Sequence, residues 1–190
     1  LYGWVCPGRP ALAADLARRD AALSHCGDGV HGAAFVAAVG ANIPGASSLE
    51  TAVEMALRET PSDSAAAEAV RFGRSQAGNP NGAGAIRERY ADLSPVHTVN
   101  NLALVVWALL SYRDDFGAAI GEVVAAGLDT DCNGATVGSL WGLQGKPIPA
   151  QWTAPWRGRV AVSLAGLDEL RLDDLVNRTH TVAESIARES

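Results

Sequence analysis

Apolar and small residues recur along this chain at intervals of three and four, the spacing of helix faces. Pro10 stands at a first-turn position, and "ALAADLARRDAAL" continues it with alanines, leucines and charges in helical rhythm. "HGAAFVAAVGANI" predicts a second, less polar helix that Pro44 and Gly45 close. Ser47 and Glu50 have capping-box spacing, which starts a third helix over "SSLETAVEMALRE". Ser62 or Ser64 caps "AAAEAVRFGRSQ", after which "AGNPNGAG" reads as a loop. The most buried segment is "TVNNLALVVWALLSY". Val99, Leu102, Val106, Leu109 and Leu110 fall on one of its faces, while Leu104, Val105 and Trp107 cover the other. A helix apolar all round belongs in the middle of a bundle. "DDFGAAIGEVVAAG" follows, with Asp114 and Asp115 at its positive end. The tail "DDLVNRTHTVAESIARES" is amphipathic, and "RVAVSL" is the one stretch with strand character. The pattern predicts an all-α domain over residues 1–190, a compact multi-helix bundle.

Composition narrows the picture. With 48% hydrophobic and 19% charged residues, the 190-residue chain reads as folded and long enough to bury a core. A net charge of -6 leaves no electrostatic footprint for nucleic acid or an anionic membrane. "LALVVWALL" is too short to span a bilayer, and no signal peptide is expected. Three cysteines, Cys6, Cys26 and Cys132, with no CxxC, favour reduced thiols in the cytoplasm. The start at Leu1 and the single methionine, Met55, predict that the gene product begins further upstream.

The chemistry concentrates in "GLDTDCNGATVGSLWGLQG", residues 127–145. Gly134, Gly138 and Gly142 recur every four residues, on one helical face. Each costs a helix about 1 kcal/mol relative to alanine, which predicts the close approach of another backbone. Gly127 ends the preceding helix, so Asp129 and Asp131 lie at the start of the next. One reading is capping, in which a carboxylate accepts backbone N–H bonds at the positive end of the dipole. The other is a metal. "DTDCNG" matches the opening of an EF-hand loop, but the twelfth position, where calcium needs a glutamate, is Leu140. What remains is a pair of hard oxygen ligands suited to Mg²⁺ or Mn²⁺, given further carboxylates from elsewhere.

"GLDTDCNGATVGSLWGLQGKPIPAQW" resembles the C-terminal signature of the ADP-ribosylglycohydrolase family: an Asp-x-Asp turn, a small-residue helix, then Ile-Pro and a tryptophan. "GWVCPGRPALAADLARRDAALSH" is similar to that family's Pro-Gly-x-Pro segment, alanine-rich helix and Thr/Ser-His pair. "VHTVNNLALVVWALL" and "DDFGAAIGEVVAAG" match the two helices before its metal turn, so the likeness covers nearly the whole chain. The resemblance implies an all-helical hydrolase with a binuclear Mg²⁺ site. It would cleave the glycosidic bond between ADP-ribose and an acceptor, either a modified protein or a small conjugate. It makes Asp129 and Asp131 metal ligands that act in catalysis through the metal, and places Cys132 where the family has a Thr or Ser ligand; a thiol is a poor ligand for a hard cation, so Thr130, Asn133 or water is expected to fill that position. It also implies that His25 lies near the ADP-ribose pocket. The other metal half, a Thr-Asp-Asp element, belongs upstream of the matched segment. The chain is therefore expected to be the C-terminal part of the domain, lacking its N-terminal helices, and to have little activity alone. The rival expectation is a degenerate relative that binds ADP-ribose without turnover.

The remaining candidates carry other readings. His25 equally suits a helix C-terminus, where its charge would be favourable. His25, Cys26 and His31 lack a fourth ligand at zinc spacing. His97 reads as a loop residue. Asn100 and Asn101 are expected to brace the fold, since a buried amide needs partners. Asp114–Asp115 and Asp173–Asp174 read as helix starts. Most tryptophans are expected in the core, with Trp152 and Trp156 covering the end of the metal helix. Neither a G-x-S-x-G elbow nor a P-loop occurs.

Overall fold

Helix α7 (Thr98–Ser111) is the axis of the fold, and every residue in it from Val99 to Leu110 is buried. The all-round apolar pattern requires this position. The computed structural model describes residues 1–188. Before α7 come α1 (Tyr2–Val5), α2 (Pro10–Ala21), α3 (Asp28–Asn42), α4 (Leu49–Ala56), α5 (Ala65–Ser75) and α6 (Gly82–Arg89). After it come α8 (Phe116–Ala125), α9 (Thr130–Gly142), α10 (Ala150–Thr153) and α11 (Leu172–Arg188). The only sheet among the described residues is a short antiparallel ribbon, β1 (Arg159–Ala161) with β2 (Glu169–Arg171), pairing Val160 with Leu170. The all-α expectation stands, and the strand character of "RVAVSL" is confined to β1. Helices α3, α5, α8 and α9 all pack on α7. The end of α11 returns to the start of the chain, where Ala183 and Ile186 pack against a small core containing Val5, Cys6 and Ala17. Arg9 Nη1 donates to the Ile186 carbonyl there at 2.8 Å.

Several local expectations change. Helix α4 is capped by Ser48, whose hydroxyl accepts from Thr51 N at 3.1 Å, one residue past the Ser47 of the expected box. Glu50 turns away to Arg74 on α5, 3.4 Å away, so the box never closes. At α5 the choice between Ser62 and Ser64 falls to Ser64, which accepts from Ala67 N at 3.1 Å. The predicted loop ends early, because α6 begins at Gly82 within "AGNPNGAG". Its glycine content hid the helix, and burial of Ile86 in the main core supplies what propensity does not. His97 is the N-cap of α7 rather than a plain loop residue, its Nδ1 accepting from Val99 N at 3.2 Å. Trp107 and Trp141 are core residues, but Trp4 and Trp156 are 42% and 56% exposed and are not. Glu189 and Ser190, the last residues of the predicted tail helix, lie outside the described residues.

The tightest crossing joins α5 to α7. A Cβ built on Gly73 would stand 3.1 Å from both Cα and C of Ala103, with the carbonyl oxygen nearer still. Backbone cannot rotate away as a side chain can. In an exposed helix Gly→Ala would gain about 1 kcal/mol, whereas overpacking costs about 1–3 kcal/mol or more. Gly73→Ala is therefore expected to lower the urea midpoint. A raised midpoint would mean that the helices separate more easily than this contact implies.

Candidate metal centre and its cleft

Between α8 and α9 the chain reverses through two consecutive left-handed residues, Gly127 at φ 81° and Leu128 at φ 62°. Glycine adopts this backbone freely. Leucine does so at a cost of about 1–2 kcal/mol, so the surroundings must hold it. Thr130 N donates to the Leu128 carbonyl at 3.1 Å, and Asp129 N donates to Asn101 Oδ1 at 3.1 Å. Strain held in this way at a turn bearing two carboxylates is typical of functional sites.

Asn101 on α7 is the bracket. Its Oδ1 accepts from Asp129 N and, at 2.7 Å, from Asn133 Nδ2. Its Nδ2 donates to the carbonyls of Pro95 at 2.7 Å and His97 at 2.8 Å. Both lone pairs and both protons of the amide are used. Asn100 supports it, with Oδ1 accepting from Asn101 N at 2.9 Å and Nδ2 donating to the Ser94 carbonyl at 3.0 Å. The expected bracing role is thus met, and its object is the acidic turn itself.

Asp129 stands at the N-cap of α9, yet its carboxylate takes no bond from the helix amides. The caps of α4, α5 and α8 all do, through Ser48, Ser64 and Asp115. The capping reading therefore fails for the Asp129 side chain. Its partner is the Cys132 thiol, which that hydrogen bond, then burial, then the charges of Asp129 and Asp131 hold above the ordinary cysteine range. A carboxylate oxygen of Asp129, one of Asp131 and Cys132 Sγ all lie within 4.8 Å of one another. This is the only such cluster of three among the described residues. No cation among those residues is bonded to either carboxylate. Close like charges with no neutralising cation are the electrostatic setting a divalent ion would relieve.

The glycine ladder behaves differently from the expectation. A Cβ on Gly134 would meet Val124 Cγ2 at 3.2 Å, and one on Gly138 would meet Ile120 Cδ1 at 3.3 Å. The close neighbours are branched side chains of α8, not a second backbone, and Gly142 has open space. The ladder lets α8 lie near α9 and so fixes the turn joining them. At the far end of α9, Trp141 meets Phe116 edge-on at 5.2 Å, and Trp152 meets the other side of Phe116 at 5.5 Å. Trp152 thus seals that end, as expected.

The turn opens on a cleft of about 880 Å³, lined among others by Asp129, Cys132, Asn133, Thr136, Ser139 and His25. That volume suits a ligand of nucleotide size. Asp129, Cys132 and His25 thus share one cavity, whereas Asp131 belongs to the cluster but not to the cavity wall. His25 lies just beyond α2, its Nδ1 2.7 Å from Ser24 Oγ and its backbone N–H closing onto the Ala21 carbonyl at 2.8 Å. His25 thus sits both just past a helix end and on the wall of the cleft. Thr136 and Ser139 were not singled out from the sequence. The signal was there: with Cys132 they step by four and three along one face of α9.

As a magnesium site the donor set fits in part. Two carboxylates are the hard ligands Mg²⁺ takes, and a thiol is not. No helix among the described residues is long and apolar enough to cross a membrane. Comparison with curated proteins gives no match, and neither does comparison with solved structures. The family model for ADP-ribosylglycohydrolase does match, over residues 1–185, nearly the full chain. This chain therefore belongs to the ADP-ribosylglycohydrolase family, a family of hydrolases.

Proposed function

We propose that the protein is a metal-dependent hydrolase that cleaves the glycosidic bond between ADP-ribose and a modified acceptor, with this chain contributing one half of the metal centre. The reading rests chiefly on one observation: two carboxylates with no bonded cation, Asp129 and Asp131, clustered with Cys132 on a strained turn beside the large cleft. Asp129 and Asp131 would hold Mg²⁺. A bound divalent ion supplies Lewis acidity that polarises a water and orients ribose hydroxyls. The protein's own part is positional. Asn101 fixes the backbone of Asp129, the left-handed pair at Gly127 and Leu128 aims the turn, and α9 presents Thr136 and Ser139 along the cleft. His25, which also lines the cavity, would touch the ADP-ribose portion. Bond breaking at an anomeric carbon passes through an oxocarbenium-like state. In a binuclear centre of this family's kind, the second set of ligands would come from outside the described residues.

The test is release of ADP-ribose from an ADP-ribosylated protein or a small ADP-ribose conjugate, with Mg²⁺ present and after chelation. The 190 residues alone are expected to turn over slowly. A chain extended to include a Thr-Asp-Asp element is expected to turn over in a way that chelation stops. ADP-ribose binding by the extended chain without release would favour the degenerate binding module. Full chelator resistance would end the metal reading.

A further inference from the structure

The residue after Asp131, where the family resemblance expects a hydroxyl ligand, is a thiol. Three side chains of the turn compete for that role. Asn133 is 2% exposed, buried with its side chain tied to α7 by the bond its amide nitrogen donates to Asn101 Oδ1 at 2.7 Å. Thr130 does not line the cleft. Cys132 lines it, is exposed, and has its Sγ within 4.8 Å of an oxygen of each carboxylate. Sulfur and oxygen ligands on one tetrahedral ion stand roughly 3.6 Å apart, a spacing that side-chain rotation reaches from this arrangement.

We propose that Cys132 is a metal ligand, and that its sulfur turns the centre away from magnesium toward a softer divalent ion of the Co²⁺ or Zn²⁺ kind. The inference rests on reading the turn as a metal centre. A thiolate selects borderline and soft ions, while Mg²⁺ gives up water reluctantly and keeps oxygen ligands. Two adjacent carboxylates suit either class, so the sulfur decides the preference. On binding, the thiol proton leaves to solvent and a metal–sulfur bond takes its place.

Co²⁺, Zn²⁺ and Mg²⁺ are titrated separately into the full 190-residue chain, with affinities measured by calorimetry and Co²⁺ also followed by absorption. Bound Co²⁺ is expected to show a near-ultraviolet sulfur-to-metal charge-transfer band, and Co²⁺ and Zn²⁺ to bind at least tenfold more tightly than Mg²⁺. Cys132→Ser should remove the band and weaken Co²⁺ and Zn²⁺ by about 10–100-fold, with Mg²⁺ changed by less than about threefold. Cys26→Ser, which alters the other exposed thiol, should keep the band. If Asp131→Asn weakens ion binding but no band forms, or the band survives Cys132→Ser, the sulfur inference fails and the metal centre stands. Equal affinity for Mg²⁺ and Co²⁺ also overturns the inference. Binding that is absent, or indifferent to Asp129→Asn and Asp131→Asn, overturns both.

Discussion

Asp131→Ala is expected to cut metal-dependent release of ADP-ribose by about 10³-fold or more, in a chain carrying both halves of the metal centre. Charge stabilisation by a metal is worth several kcal/mol, and each 1.36 kcal/mol is about tenfold in rate. Stability should hardly move. Asp131 is exposed and has no bonded cation, so what it gives the fold is its place in the first turn of α9, worth about 0.3–1 kcal/mol. That contrast separates a ligand from a helix-start residue. If Asp131 only favours the helix dipole, the midpoint of unfolding falls slightly and the rate stays. If it holds a metal, the rate collapses, the midpoint is nearly unchanged, and calorimetry shows ion binding lost with it. Asp114→Ala is the natural control, being an exposed acid near the start of α8 that pairs with Lys146 at 2.6 Å. It should leave both rate and metal binding alone.

The sequence carried much of this molecule because its helices are long and uniformly patterned. α7 is apolar on every side, and no position other than the centre of a bundle accepts such a helix. Gly127 as the end of α8 was equally legible, since a glycine past the last turn is free to take positive φ. The Asp-x-Asp turn was found by its residue types. What decided between cap and ligand was where the Asp129 carboxylate points, which one-dimensional spacing does not contain. Nor did spacing reveal that Leu128 is left-handed, because leucine there reflects the bond that its neighbour Asp129 makes to Asn101, 28 positions before that aspartate, rather than its own preference. The Ser47–Glu50 box failed for a similar reason: Arg74, on a later helix, draws Glu50 away. Local signals were reliable where one element decides the outcome. They failed where a second element competes.

Asn101→Ala is expected to lower stability by about 2–4 kcal/mol and to weaken metal affinity by about 10–100-fold. The two effects have one cause. Asn101 is only 8% exposed, and its amide is the one hydrogen-bonded link, among the described residues, between the start of α7 and the acidic turn. Truncation leaves Asp129 N and the buried amide of Asn133 without acceptors, and an orphaned buried donor costs about 1–3 kcal/mol. It also frees the strained Leu128–Asp129 backbone to relax, so the carboxylates lose the placement a metal needs. Asn101→Asp is the sharper variant, because it keeps oxygens for Asp129 N and Asn133 Nδ2 but can no longer donate to the carbonyls of Pro95 and His97. It also adds a negative charge facing the cluster. Asn133→Ala removes just one bond of the bracket and should cost less on both scales. If Asn101→Ala unfolds at a lower midpoint but binds metal with unchanged affinity below that midpoint, Asn101 supports the bundle alone, and the link from the core to the acidic turn has no bearing on the site.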